Sequence, residues 1–127
     1  MGVSMAVVSF AVAADGTLSQ TRQVQCDTMN LATAIEDIDN RGDEPDDVHF
    51  AWIEPLDHEH GHPFAESVQA DHLWDPADIL TSLAWISKLG AEGEVKMDGI
   101  SFDFDQVRTL CSFAAAHGER IGVFIVT

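Results

Sequence analysis

The sequence predicts an α+β domain: a mainly antiparallel sheet of about five to six strands with about three helices packed on it, in the order ββ-α-β-α-ββ-α-β. Three observations predict it. Two strand-like runs flank Asp15-Gly16, three other segments carry apolar residues at three- and four-residue spacing, and the run Ile121 to Val126 is almost wholly apolar. A chain of 127 residues suits one domain, read as 1–127. It is long enough to hide roughly two-thirds of the surface its unfolded chain exposes.

The first run, Met5 to Ala14, is rich in Val and Ala and contains Phe10. Its end, Ala11-Val12-Ala13-Ala14, faintly resembles a leader-cleavage site, but no Lys or Arg precedes it and the run is short. It therefore reads as a buried strand. Gly2 is followed by Ala6 where a myristoylation signal needs Ser or Thr, so that signal fails. Asp15-Gly16 supplies the positive φ angles of a two-residue hairpin turn. Thr17 to Cys26 then alternates. Leu18, Gln20, Arg22, Val24 and Cys26 fall on one side, and the other side is wholly polar, as in an antiparallel strand with one wet face.

Asp27 or Thr28 is placed to cap a helix whose core stripe is Leu31, Ala34, Ile35 and Ile38, and Gly42 stops it. An acidic loop containing Pro45 follows. Val48 to Glu54 reads as a strand with Phe50 and Trp52 on one face, ended by Pro55. Leu56 to Asp75 has no clear period. Asp75-Pro76 opens a second helix with an N-cap acid and a first-turn proline, and Gly90 closes it. Its buried face is Ile79, Leu83, Ile86 and Leu89. Glu94 to Phe102 contains Asp98-Gly99 and reads as a short hairpin. Asp103, with Gln106 at capping-box spacing, starts a third helix that buries Val107, Leu110, Cys111 and Ala114.

The net charge of −16 comes from 22 acidic and 6 basic residues. A surface of that sign repels phosphate backbones and anionic lipids, so direct nucleic-acid or membrane-surface binding is disfavoured. Three explanations stay open: the acids maintain solubility, they suit high salt, or they face a basic protein partner. Cys26 and Cys111 have no metal-site spacing and read as buried thiols, which suits a reducing, cytoplasmic setting. No run approaches the length of a membrane-spanning helix.

Three local patterns bear chemistry. In Asp57-His58-Glu59-His60-Gly61-His62, the imidazoles of His58, His60 and His62 would share one side of an extended segment and could bind a transition metal. Gly61 and Pro63 instead favour an exposed loop of weak affinity. Asp37-Ile38-Asp39-Asn40-Arg41-Gly42 opens like a calcium loop but then puts Arg41 at a ligand position and Val48 in place of the bidentate Glu. Asp98, Asp103 and Asp105 could act as paired acids, yet turn and cap roles account for them.

No phosphate loop, nucleophile elbow or zinc-protease motif occurs. The expected function is non-enzymatic: an acidic protein that binds and inhibits a basic, nucleic-acid-binding partner, as DNA mimics, anti-restriction or anti-CRISPR inhibitors and immunity proteins do. The expected contacts are Asp37, Asp39, Asp43, Glu44, Asp46 and Asp47, with Asp57 and Glu59. A metal-binding protein using the histidine loop, or an enzyme with its site between Leu56 and Asp75, are the alternatives.

Overall fold

The structure, a computed structural model, describes residues 4–126; Gly2, where the myristoylation reading failed, lies outside them. Strands β1 (Ser4–Val12) and β2 (Leu18–Cys26) form the expected N-terminal hairpin. Helix α1 spans Asn30–Arg41, β3 spans Leu56–His58, α2 spans Pro76–Ala91, α3 spans Ser101–Ala116 and β4 spans Arg120–Val126. The sheet has four strands in the order β2-β1-β4-β3. β1 runs antiparallel to both β2 and β4, while β3 joins β4 in parallel. The sheet is therefore mixed, and smaller than the five to six strands expected.

Alternation along β1 sends its side chains to two cores. Met5 and Val7 join the buried faces of all three helices: Leu31, Ile35 and Ile38 from α1, Ile79, Leu83 and Ile86 from α2, Val107, Leu110 and Cys111 from α3. Ala6, Val8 and Phe10 point the other way, to Phe124, Val68 and Leu73. The aperiodic stretch after Pro55 thus covers the face of the sheet that the helices leave open. It does so with short 3₁₀ turns at Phe64–Glu66 and Ala70–His72. Each fully buried large aliphatic or aromatic side chain contributes about 1.5–3 kcal/mol, which is why two modest cores suffice to hold both faces.

Two features of the hairpin depart from the simple pattern. Only Gly16 takes a positive φ (87°); Asp15 does not, so the turn is a three-residue loop closed by Ala13 N–H donating to the Thr17 carbonyl. A bulge then pairs Ser9 with Arg22 but Phe10 with Gln20, leaving Thr21 extra. Beyond the bulge the strand changes sides. Val24 packs on the helix-side core and Leu18 on the opposite one, where strict alternation had put them together. Ser9, fully buried, accepts a hydrogen bond from the Arg22 N–H (3.1 Å) and shares one with the Thr21 hydroxyl (2.7 Å), so the bulge leaves no orphaned hydroxyl.

Four other expectations are corrected. Val48 to Glu54 is not a strand: Ala51–Ile53 forms a 3₁₀ turn, and the strand begins only after Pro55. Phe50 and Trp52 are buried as expected, but Trp52 is held by Ser82 of α2 rather than by a sheet neighbour. Glu94 to Phe102 forms no hairpin. Ile100 and Ser101 both donate to the Met97 carbonyl, winding the Asp98-Gly99 turn straight into α3. Asp103 therefore lies in the first turn of α3 instead of capping it, and the N-cap residue Ile100 makes no side-chain cap bond. At α1 the N-cap position is Met29, and of the two expected caps Thr28 Oγ1 accepts from the Asn30 N–H at 3.3 Å. Gly90 lies inside α2 instead of ending it. A Cβ there would sit 2.8 Å from Met97 Cγ, so its bareness lets the α2–α3 connection lie against the helix. The Asp75 cap behaves as read, with its carboxylate accepting from Ala77 N–H at 2.9 Å.

Candidate interaction surface

The acidic residues expected to meet a partner gather at the C-terminal end of α1. Asp37 and Asp39 face outward from the helix. Gly42, in the left-handed region at φ 68°, donates to the Asp39 carbonyl and turns the chain out of the helix. Asp43, Asp46 and Asp47 are exposed along the loop that follows. Val48 and Phe50 are buried behind it and pin its far end, and Val48 N–H donates to the Pro45 carbonyl at 3.0 Å. The carboxylates are thus carried on a short, anchored segment.

Glu44 differs from its neighbours. It is half-buried, and its Oε2 is shielded from water without a hydrogen-bond partner among the described residues. The one guanidinium near the helix end, Arg41, is used elsewhere: it donates to the Glu94 carbonyl at 3.0 Å. Among the described residues, Lys and Arg make ion pairs only at Lys88–Glu92 (4.0 Å) and Arg108–Asp105 (2.7 Å). Among the described residues, Asp37, Asp39, Asp43, Glu44, Asp46 and Asp47 make no ion pair with Lys or Arg. Arg41 still carries one positive charge among these six carboxylates, so this end keeps a strong net negative field.

Asp57 and Glu59 stand on a different segment. Asp57 is exposed on β3, and Glu59 lies 3.5 Å from His62 Nε2 in the loop beyond it. The extended backbone ends at His58, so the three imidazoles differ in burial and partners, although all three border one small cavity of about 210 Å³. His58 is buried, stacked on Phe64 at 4.1 Å between ring centroids, and its Nδ1 shares a 2.6 Å hydrogen bond with Ser67 Oγ. His60 is exposed, and exposed His62 sits between Glu59 and Glu66 (3.5 and 3.9 Å). Among the described residues no three His, Cys, Asp or Glu side chains are grouped closely enough to hold a metal ion.

Asp98 is an exposed turn residue and Asp105 pairs with Arg108. Asp103 is the perturbed one: burial, then the charge of Asp27, raises its carboxyl above the usual range. Both thiols are buried and free; burial pushes each up to about 12, with the charges of Asp103 and Asp27 adding to the effect at Cys26.

Sequence reading missed a cavity of about 490 Å³ whose lining includes Glu54, Leu56, Asp71, Trp74 and Val123. Its residues come from three separated stretches, and no local pattern joins them. Among the described residues no helix is long and apolar enough to cross a membrane. No protein-family model matches the chain, and neither the curated proteins nor the solved structures yield a match.

Proposed function

We propose that this is a non-enzymatic interaction protein that binds and inhibits a basic partner protein, one whose own ligand is a nucleic acid. The class is that of nucleic-acid mimics: anti-restriction or anti-CRISPR inhibitors, or immunity and antitoxin proteins. The observation that carries the reading is the net-negative acidic end of α1, where six carboxylates from Asp37 to Asp47, with Arg41 the one positive charge in that run, make no ion pair with Lys or Arg among the described residues. Carboxylates held on an anchored segment stand in for backbone phosphates, and opposite fields speed encounter with a basic groove. Contacts at Asp57 and Glu59 extend the same surface logic to the β3 side.

The test begins with capture of partners from a relevant lysate, washed at rising salt, followed by titration of the captured protein. Charge reversal of Asp43, Glu44, Asp46 and Asp47 to Lys is expected to weaken binding by about tens of fold and to flatten its salt dependence. Binding that survives those reversals, with no salt dependence, would remove the mimic reading and leave solubility or a high-salt habitat to account for the charge.

A further inference from the structure

Two segments share the outer edge of β4 without filling it. Trp74 exchanges backbone hydrogen bonds with Ile121 (2.8 and 2.9 Å), and β3 takes up the edge only from Phe124 to Val126. Gly122 and Val123 lie between them with no strand residue paired on that side. The 490 Å³ cavity opens at this gap. Val123 belongs to the helix-side core and Leu73 to the opposite one, so the cavity sits in the plane of the sheet, reached from its edge.

The lining is divided by chemistry. Leu73 and Val123 are buried, and with Leu56 they form an apolar floor. Trp74 supplies an aromatic wall. Glu54 and Asp71 are exposed at the rim. No Lys or Arg is among the lining residues, although the Arg120 guanidinium donates to the Leu73 carbonyl at 3.2 Å; Glu54 has no ion pair among the described residues, and Asp71 has only the His72 imidazole, itself part of the lining, at 3.9 Å. Acids above an apolar floor and beside an indole suit a cation on an aliphatic stem. A guanidinium fits best, because it is planar, stacks on aromatic rings and binds carboxylates through paired N–H groups. A bare metal ion does not suit a site without a group of three ligands.

We infer that this cavity receives an arginine side chain presented by a polypeptide, with the guanidinium held by Glu54 and Asp71 beside Trp74 and the methylene stem over Leu73 and Val123. The source of the arginine rests on the basic partner proposed above; the cavity lining shares no residue with the acidic end of α1. Hot-spot behaviour is compatible with this division: a single anchored Arg in a pocket commonly carries binding energy that a field of surface charges does not.

The test uses Nα-acetyl-arginine amide as the probe and its uncharged counterpart Nα-acetyl-citrulline amide as the control, followed by two-dimensional NMR of the whole chain. Saturable shifts at the Trp74 indole and at the Leu73 and Val123 amides are expected with arginine and not with citrulline. In the Glu54→Gln, Asp71→Asn double variant the affinity is expected to fall by about tenfold, with the rest of the spectrum unchanged. Absence of saturable shifts, equal shifts with citrulline, or full binding by the double variant would each overturn the inference. Charge reversal at residues 43–47 tests the partner reading alone and is expected to leave arginine binding unchanged. Loss of arginine binding with intact salt-sensitive partner binding therefore condemns the cavity only, and the converse condemns the partner reading only.

Discussion

Trp52 donates its indole N–H to Ser82 Oγ over 2.8 Å, and neither residue has any exposed surface. Ser82 in turn donates to the Ile79 carbonyl one turn back in α2, also at 2.8 Å. This pair fastens the connection after α1 to α2 and accounts for the absence of a strand at Val48 to Glu54. The indole finds its partner in a helix, and the chain around it curls into a 3₁₀ turn to reach it. Ser82→Ala strands the indole N–H away from water. An unsatisfied buried donor costs about 1–3 kcal/mol, so the urea midpoint is expected to fall by a corresponding amount with an unchanged slope. A midpoint equal to that of the parent chain would show that the bond is not a net contributor.

The same pair shows where the sequence was legible and where it was not. Features set by near neighbours were readable: the hairpin around Gly16, the Asp75 cap, the stripe Ile79-Leu83-Ile86, and Gly42 at the end of α1. Features set by distant partners were not. Phe50 and Trp52 alternate like strand residues, but burial alone does not say what lies opposite. Asp98-Gly99 carries a hairpin dipeptide, yet Met97 rests against Gly90 of α2 and the turn winds into a helix. The candidate site divides in the same way. The acidic run was visible because its residues are consecutive, whereas the cavity beside Trp74 exists only through the pairing of β4 with two separate segments.

The two buried thiols give a chemical prediction. Each is pushed from its ordinary 9.0 to about 12, chiefly by burial, so at neutral pH almost no thiolate is present to react. In the native protein Cys26 and Cys111 are expected to resist a colorimetric disulfide reagent and to react only after unfolding. The linkage has a definite sign. The unfolded chain releases these protons above about 9 while the folded chain keeps them to about 12, so stability falls as pH rises across that window. Rapid labelling of either thiol at neutral pH in the folded state would contradict this.

Asp103 gives a second pH prediction. Burial raises its carboxyl first, and the Asp27 charge adds to it. The unfolded chain then loses this proton at lower pH than the folded one, so the contribution is present in acid and is lost as pH rises from the ordinary 3.8 through the raised value. Asp27→Asn removes the second cause. The Asp103 midpoint, followed by carboxyl carbon NMR, is expected to move down toward the ordinary value, while burial keeps it from returning fully. An unmoved midpoint would mean that burial alone perturbs the group.

The cover over the second face of the sheet supplies the last prediction. From Phe64 to Leu73 the chain has two isolated 3₁₀ turns and no strand pairing, so little of its own backbone bonding holds it down. Val68 and Leu73 pack on Phe10 and Phe124, and the 2.6 Å bond between His58 and Ser67 ties the cover to β3. Local openings of this kind are governed by the few contacts that must break, rather than by global unfolding. Ser67→Ala removes one half-buried hydrogen bond, worth about 0.5–1.5 kcal/mol. Amide exchange from residue 64 to residue 73 is therefore expected to quicken by up to about tenfold, while amides in α2 and α3 exchange nearly as before. Uniform acceleration across the whole chain would instead show that the cover unfolds only with the helix-side core, making the two faces one cooperative unit.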